Sequence, residues 1–199
     1  MRTLAFDTSG AACSIALFED GVLIAERHEI VGRGHAERLI PWIAGLPDGG
    51  RADIIIVGCG PGSFTGVRIG IAAARALALG WHVPVTGVSS LSLIAAGSDA
   101  GTTIVAVEAG HGEIFIQRFS INPVTPLDAL RSCLPADCAG APNSVVLGSG
   151  AERLVAAWGH GAALPAEARA AHVARLPAAL TNLSPTPIYG RGPDARPMP

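Results

Sequence analysis

Hydrophobic and polar positions alternate through the first thirty residues in a pattern that predicts three consecutive β-strands. The strands are expected over residues 2–8, 12–19 and 21–30. Ser9-Gly10 separates the first two strands, and Asp20-Gly21, a strong hairpin signal, separates the second and third. An antiparallel meander is therefore expected to open the fold.

After the meander the spacing of apolar residues becomes helical. The segment HAERLIPWIA, from His35 to Ala44, predicts a short amphipathic helix. Pro41 must lie in an early turn of that helix or kink it, because proline cannot donate a backbone hydrogen bond. Only AGLPDGGRA then separates Ile43 from Asp53, so the connection to the next strand is short.

The remaining chain alternates between strand-like and helix-like segments. Strands are predicted at 53–57, 83–87, 102–108, 113–119 and 144–147. Helices are predicted at 66–80, from Ser89 or Ser90 onward, at 127–134 and at 150–158. This order indicates an α/β protein with mixed sheets covered by helices. The Gly and Ser cluster at 97–101 is the expected boundary between an N-terminal lobe, 1–100, and a shorter C-terminal lobe with a Pro-rich tail, 101–199.

Composition removes several classes of function. The 199 residues are 49% hydrophobic and 15% charged, and the formal net charge of −2 supplies no positive field for nucleic acid or an anionic membrane. All 14 basic residues are arginines, so neither Schiff-base chemistry nor a P-loop lysine is available. The opening segment lacks the apolar run of a signal peptide, and no stretch has the length of a membrane span. A cytoplasmic protein without membrane contact is expected.

The cysteine and histidine patterns do not predict a metal site. The six histidines include no HxxxH or HExxH pair, and no nearby acidic residue completes a cluster around one of them. The four cysteines form no CxxC pair and are expected to be reduced thiols; they are Cys13, Cys59, Cys133 and Cys138.

The segment GCGPGSFTGVRIG, residues 58–70, places a glycine-rich loop between a strand and a helix. Such a loop directs backbone amides at one point and can bind an anion. However, Val67 stands where a Walker loop has lysine, and the glycine spacing is one residue too long for a dinucleotide fingerprint. We therefore interpret the loop first as a tight turn that allows helix-to-strand packing. The residues retained as candidates for an anion or nucleotide site are Asp7, Gly60, Gly62, Ser63 and Gly66.

The order of seven segments resembles one known family over nearly the whole chain. The segments are FDTSGAACSIAL, RGHAERLIPWI, GCGPGSFTGVRIG, VPVTGVSSL, VAVEAGHGEIF, VLGSGAERL and PIYGRGPDARP. They resemble the corresponding segments of the TsaB family. Members of that family are the non-catalytic subunit of the bacterial machinery that makes threonylcarbamoyladenosine beside the tRNA anticodon. The resemblance implies a two-lobed fold, actin-like and Hsp70-like (ribonuclease H-like), with mixed sheets flanked by helices.

The resemblance also implies a scaffold without catalytic residues or cofactor. The catalytic paralogue, TsaD, binds a metal through an HxxxH pair; Ser90 and Ile94 occupy the matching positions here and cannot rebuild that site. Two enzymatic alternatives stay open. One is an ATP-dependent, kinase-like activity that uses Asp7 and glycine loops at 58–66 and 148–150. The other is a metallopeptidase, suggested only by an earlier description of the paralogue as a glycoprotease.

In the family, this subunit pairs with TsaD mainly through helices of the N-terminal lobe, and a small ATPase subunit, TsaE, joins the complex. Contact with tRNA would be indirect, and the same surface also allows a homodimer of the free chain. By position, the interface would contain His35, Arg38, Leu39, Trp42, Arg68, Ile69, Ala72, Ala73 and Ala76. Small residues on one helical face permit close approach of a partner, although an ordinary core face has the same composition. The short 44–52 segment could trim this surface, and the short C-terminal lobe could lack the geometry of a nucleotide site.

Overall fold

The computed structural model describes residues 1–140 and 142–190, which form two β-sheets with helices packed on them. The first sheet contains β1 (Arg2–Asp7), β2 (Ala12–Glu19), β3 (Val22–Ile30), β4 (Ile54–Gly58) and β5 (Val85–Val88). Its spatial order is β3-β2-β1-β4-β5, with β1, β2 and β3 antiparallel and β4 and β5 parallel to β1. The predicted opening meander is confirmed. Asp20 and Gly21 both have positive φ, as a tight hairpin turn requires.

Three helices follow the strands of this sheet: α1 (His35–Ala44), α2 (Phe64–Trp81) and α3 (Ser90–Ala95). Pro41 lies inside α1 rather than in its first turn, and α1 ends one turn later at Ala44. The short connection after α1 forms a 3-10 helix, Pro47–Gly50. α2 begins after Ser63, whose Oγ accepts a hydrogen bond from the Gly66 amide at 3.2 Å.

The second sheet consists of β6 (Thr102–Gly110), β7 (Glu113–Ser120), β8 (Thr125–Pro126), β9 (Arg131–Cys133), β10 (Val145–Leu147) and β11 (Ala162–Leu164). Its order is β11-β10-β6-β7-β8, and β9 pairs with β7. Helix α4 (Ala151–Trp158) packs on this sheet, and a short α5 (Ala178–Thr181) follows a 3-10 helix, Ala170–Arg175. The predicted strands at 102–108, 113–119 and 144–147 are confirmed.

The helix predicted at 127–134 is wrong. Residues 131–133 form β9, which pairs antiparallel with β7 so that Cys133 lies opposite Ile114. Asp128 also accepts a hydrogen bond at 2.8 Å from the guanidinium of Arg118 on β7. Pairing with the edge of the sheet therefore determines this segment, and it overrides the local helical pattern.

The prediction of four reduced cysteines is also wrong for one pair. Cys133, at the end of β9, forms a disulfide with Cys138, because the 3-10 helix Pro135–Asp137 turns the chain back and brings the two Cα atoms to 6.6 Å. Cys13 and Cys59 are free and buried. Burial raises the pKa of each of these two thiols to about 11, so both are protonated at neutral pH.

Apolar residues alternate between the two faces of the first sheet, and each face contributes to a separate core. Leu4 and Phe6 of β1 face α1 and α2, where they meet Leu39 and Ile71. Ala5, on the other face, belongs to the core shared with α3 and the second sheet. Within the residues that the structure describes, no helix is long and apolar enough to cross a membrane.

The chain after β11 returns to the first sheet through residues 166–176, which we call the return strap. The Ala170 amide donates to Ser14 Oγ at 2.8 Å, and Arg169 forms an ion pair with Glu26 of β3. Further on, Gly87 and Leu183 exchange two backbone hydrogen bonds at 2.7 and 3.0 Å. C-terminal residues therefore contact three strands of the first sheet, β2, β3 and β5. The division into lobes at residue 100 stays a prediction, and the tail from 191 lies outside the described residues.

Two histidines lie where the return strap packs on β3: His172 belongs to the strap and His28 to the strand. His172 places Nδ1 2.8 Å from the Leu93 carbonyl oxygen, and His28 of β3 has a buried Nδ1 without a hydrogen-bond partner. Burial lowers the pKa of His172, and the charges of Arg175, Arg169 and His28 lower it further. Burial and Arg169 lower the pKa of His28 as well. Both rings are therefore neutral in the folded protein near neutral pH.

Acidification should destabilise the folded chain through these histidines. Above pH 6.5, the pKa of histidine in the unfolded chain, a histidine whose pKa is lowered by folding does not affect stability. As pH falls from 6.5 toward the lower pKa of the folded state, only the unfolded chain takes up the proton, so the folded state loses stability. We expect the free energy of unfolding to decrease between about pH 6.5 and 5.5. Urea unfolding of the parent chain and of His172→Gln at both pH values measures this, and an equal loss in the two proteins would contradict the assignment to His172.

Candidate functional site

A cleft of about 1160 Å³ opens between the two sheets. It lies where the turn after β1, the glycine-rich loop, the first residue of α3 and the return strap meet the end of β6 and the β10–α4 turn. Its polar lining includes Ser9, Ser63, Ser90, Glu108, Ser149 and Glu167. Of the five residues predicted for an anion or nucleotide site, Gly62 and Ser63 line this cleft.

Asp7 lies beneath this cleft, where it acts as a buried hydrogen-bond acceptor. Its Oδ1 accepts from the Ser9 amide and Ser9 Oγ, both at 2.7 Å, and its Oδ2 accepts from Ser90 Oγ at 2.5 Å. Burial raises the pKa of Asp7, and the bonds from Ser90 and Ser9 oppose that rise. Both carboxylate oxygens therefore already have partners within the chain, and Asp7 links β1 to α3.

The glycines of the loop are required by close packing on the end of β1. A Cβ atom at Gly62 would overlap the Ser9 carbonyl oxygen, and one at Gly66 would overlap the Thr8 carbonyl oxygen. A Cβ at Gly70 would lie 2.7 Å from Thr8 Oγ1, again inside van der Waals contact. The loop and the first turns of α2 therefore pack directly against backbone, which only glycine allows.

Amides of the loop donate their hydrogen bonds to protein acceptors. The Gly60 amide donates to Ser90 Oγ at 3.1 Å, and the Ser63 amide donates to the Ser9 carbonyl at 2.7 Å. The Gly66 amide is used by the Ser63 cap, and Thr8 Oγ1 donates to the Gly66 carbonyl at 2.7 Å. These contacts favour the interpretation of the loop as a packing turn over an anion site.

The second glycine-rich turn, residues 148–150, lies across the cleft. Gly148 has a φ of 118°, and the Gly150 amide donates to the Ala106 carbonyl at 3.0 Å. Ser149 Oγ accepts from the Glu108 amide at 3.1 Å, while the Glu108 carboxylate pairs with Arg153 of α4. This turn also packs against the second sheet through its own polar groups.

A metal site is not assembled in the described part of the chain, where no three His, Cys, Asp or Glu side chains lie close enough to share an ion. The two positions that match the metal-binding histidines of TsaD are both on α3. Ser90 is hydrogen-bonded to Asp7, and Ile94 belongs to the core between the sheets.

Three of the predicted interface residues are core residues, which corrects that part of the prediction. Leu39 and Trp42 pack on the first sheet from α1, and His35 places Nε2 3.2 Å from the Ala12 carbonyl oxygen. All three are buried, because α1 turns this face toward β2 and leaves none of it for a partner. Arg38 lies on the exposed side of α1.

Helix α2 retains an exposed surface. Ala72 and Ala76 are exposed, Ile69 and Ala73 are half-buried, and Leu79 continues the exposed stripe with a relative accessible surface of 76%. Residues at spacings of three and four lie on one helical face. The sequence prediction did not include Leu79, although its spacing from Ala72 and Ala76 would have indicated it.

Arg68, also predicted for the interface, is held at the edge of this surface by an aromatic pair that the sequence analysis missed. Its guanidinium lies 3.5 Å from the centre of the Phe64 ring, and its Nη2 donates to the Tyr189 hydroxyl at 3.1 Å. Tyr189 is distant in sequence and reaches α2 only because the C-terminal segment returns to the first sheet. Arg75 fixes the same segment by donating to the Pro185 carbonyl at 2.8 Å.

Comparison with known proteins agrees with this architecture. The family model described as TsaD, tRNA N6-adenosine threonylcarbamoyltransferase, matches residues 27–139, more than half of the chain. The TsaB protein of Escherichia coli strain K12 is 41% identical over 124 residues, which cover 58% of this chain and 53% of the relative. The chain belongs to the TsaB family. The match spans about half of the length of that curated relative, and a TsaB-family protein of Bacillus subtilis strain 168 is 40% identical over 44% of its own length.

Other relatives match this chain over nearly its whole length. An uncharacterised protein of Mycobacterium tuberculosis strain H37Rv is 34% identical over 98% of this chain and 94% of the relative. A crystal structure of an uncharacterised Pseudomonas aeruginosa protein, with similarity to the peptidase YeaZ, superposes with a TM-score of 0.80. That alignment has 26% identity and covers 96% of this chain and 99% of the other. The predicted two-lobed, actin-like α/β fold with mixed, helix-flanked sheets is confirmed.

Proposed function

We propose that this chain acts in the biosynthesis of threonylcarbamoyladenosine in tRNA as a scaffold subunit without catalytic residues of its own. The names of its Escherichia coli and Bacillus subtilis relatives, and the family model that matches residues 27–139, support the pathway. In this proposal the chain pairs with TsaD in the cytoplasm and holds that subunit in its active arrangement. TsaE joins through the complex, and tRNA contacts this chain only indirectly.

The scaffold role is supported mainly by the hydrogen bonds that the polar groups beside the cleft already make within the chain. Asp7 accepts hydrogen bonds from Ser9 and Ser90, and the amides of Gly60, Ser63 and Gly66 donate to acceptors of the protein. A kinase-like site would need some of these groups free to bind phosphate or metal. Because these groups are already hydrogen-bonded within the protein, they support the scaffold role over the kinase-like alternative, which would use the same residues.

The exposed face of α2 supports the pairing. Ala72 and Ala76 leave the helix backbone accessible, and Leu79 adds apolar area at one end of the stripe. Small residues let another helix approach closely, and apolar contact area then stabilises the pair. The same surface also allows a homodimer of the free chain, which TsaD would displace.

Size-exclusion chromatography with light scattering tests the pairing directly. We expect the chain and TsaD to co-elute as a heterodimer, and any homodimer of the chain alone to disappear as TsaD is added. Titration of the isolated chain with Mg-ATP separates the two functions: tight binding together with separate elution from TsaD would favour the kinase-like alternative.

A further inference from the structure

The disulfide between Cys133 and Cys138 closes a short loop at the margin of the second sheet. Cys133 is the last residue of β9, and Cys138 directly follows the 3-10 helix Pro135–Asp137. The two cysteines lie five positions apart in sequence. Because this loop is so short, their sulfur atoms stay near each other even when the bond between them is broken.

The two half-cystines differ in their access to solvent. Cys133 is half-buried, and its neighbour Leu134 is exposed. Cys138 is 4% exposed and belongs to the core between the second sheet and α4, together with Ile114 and Leu154. A thiolate that opens a disulfide must reach one of its sulfur atoms directly. Cys133 offers the more open approach, so exchange is expected to begin there.

The buried half-cystine has a hydrogen-bond acceptor ready for its reduced form. Cys138 Sγ lies 3.2 Å from the Leu134 carbonyl oxygen, which also accepts from the Asp137 amide at 2.9 Å. A disulfide sulfur has no proton to donate, whereas a thiol can donate to this oxygen. The fold can therefore hold Cys138 as a protonated thiol without rearranging the 3-10 helix.

The disulfide fastens a segment that has short attachments on either side. β9 pairs with β7 over three residues, and Ser132 Oγ donates to the Glu113 carboxylate. After the loop, the Cys138 carbonyl accepts from the indole of Trp158, and Gly140 lies so close to that ring that a Cβ atom would overlap it. A three-residue strand supplies few ladder hydrogen bonds, so breaking the disulfide should let β9 separate from β7 more often.

The remaining two cysteines provide an internal comparison. Cys13 and Cys59 are free and fully buried. Burial raises the pKa of each thiol to about 11, so neither forms the reactive thiolate near neutral pH. A redox response of the native chain is therefore expected at Cys133 and Cys138 alone.

We propose that Cys133 and Cys138 form a reversible redox site, where exchange with a glutathione-class thiol opens the disulfide and loosens β9 from β7. A thiolate attacks Cys133 Sγ, the bond between the two Sγ atoms breaks, and Cys138 leaves as a thiolate that takes up a proton from water. A second thiolate attacks the small-molecule sulfur of the mixed disulfide and releases Cys133, which is protonated in turn. Two small-molecule thiols thus become one disulfide, and their two electrons reduce the protein. The inference concerns the second sheet and does not rest on pairing with TsaD.

Mass spectrometry of the full chain measures the exchange. The native chain is equilibrated in buffers that range from oxidised to reduced glutathione, quenched in acid, unfolded and alkylated. We expect the peptide that contains Cys133 and Cys138 to change from unmodified to alkylated at both positions, while Cys13 and Cys59 are alkylated in every buffer. A disulfide that persists in excess reduced glutathione, or two thiols that persist in excess oxidised glutathione, would overturn the proposal.

Two serine variants identify the sulfur that is attacked. In oxidised glutathione, Cys138→Ser should acquire one glutathione at Cys133, whereas Cys133→Ser should acquire none at the buried Cys138. The variants are matched, because both remove the same bond, and thermal unfolding confirms that each is folded. Equal adduct formation in the two folded variants would contradict attack at Cys133.

Hydrogen exchange tests the structural consequence. In the reduced parent chain, the amides of residues 131–133 should exchange at least about tenfold faster than in the oxidised chain, while β1 and β2 keep their rates. Cys133→Ser cannot form the bond, so it should exchange at the reduced rate in both buffers. Identical exchange of β9 in the oxidised and reduced parent chain would show that the disulfide does not hold this strand, and would overturn the proposal.

Discussion

Gly66→Ala should destabilise the chain by about 3 kcal/mol or more, since a new Cβ atom would overlap the Thr8 carbonyl oxygen. The oxygen belongs to backbone at the end of β1, so it cannot move away by rotating a side chain. Relief requires α2 to shift from the first sheet, which would also disturb the Thr8 to Gly66 hydrogen bond of 2.7 Å. The same crowding predicts a large effect for Gly62→Ala, whose Cβ would meet the Ser9 carbonyl.

Gly80→Ala is the matched control for this substitution. Gly80 lies in the same helix, and a Cβ atom there would meet nothing within 4 Å. Alanine has the higher helix propensity, so the control should gain about 0.5–1 kcal/mol. Urea unfolding of both variants measures the difference. Similar free energies of unfolding for Gly66→Ala and Gly80→Ala would show that the loop does not pack on β1 as described.

Ala76→Arg should weaken pairing with TsaD roughly 100-fold or more, corresponding to about 3 kcal/mol. Ala76 is exposed on α2, so a long charged side chain is accommodated in the free chain but not against a close partner. The free energy of unfolding should change by no more than about 0.5 kcal/mol, as is usual for exposed positions. Ala72→Arg, one helical turn away, should have the same effect.

Ala156→Arg, at an exposed position of α4 on the second sheet, is the control for a new surface arginine. It should leave both pairing and stability unchanged. Binding of each variant to immobilised TsaD, with thermal unfolding as the test of folding, separates loss of contact from loss of structure. Normal pairing by both Ala72→Arg and Ala76→Arg would exclude this face of α2 from the interface.

The strands and helices that the sequence predicted well are those determined by local patterns. The alternation in 2–30 and the Asp20-Gly21 turn identified the meander, and continuous apolar runs identified β4 and α2. The conformation of segment 127–134 is not determined by its local pattern, because residues 131–133 pair with the edge of β7. That edge is a property of the assembled sheet and cannot be seen in the segment itself.

The candidate site, too, could be predicted only where local sequence determines it. The glycines of residues 58–70 were recognisable, and their interpretation as a packing turn agrees with the overlap that a side chain at Gly62 or Gly66 would create. In contrast, Glu167 and Tyr189 reach the cleft only through the return of the C-terminal segment. His35 and Leu39 were assigned to a partner from the position of their segment in the TsaB family, although both residues pack on the first sheet.

The central claim, a scaffold required for tRNA modification, is tested most directly by reconstitution. Threonylcarbamoylation of tRNA would be measured with purified TsaD and TsaE, a source of the threonylcarbamoyl group, and either this chain, its Ala76→Arg variant or no addition. We expect modification only with the parent chain, and a large loss with Ala76→Arg. Equal rates of modification with and without the parent chain would contradict the account.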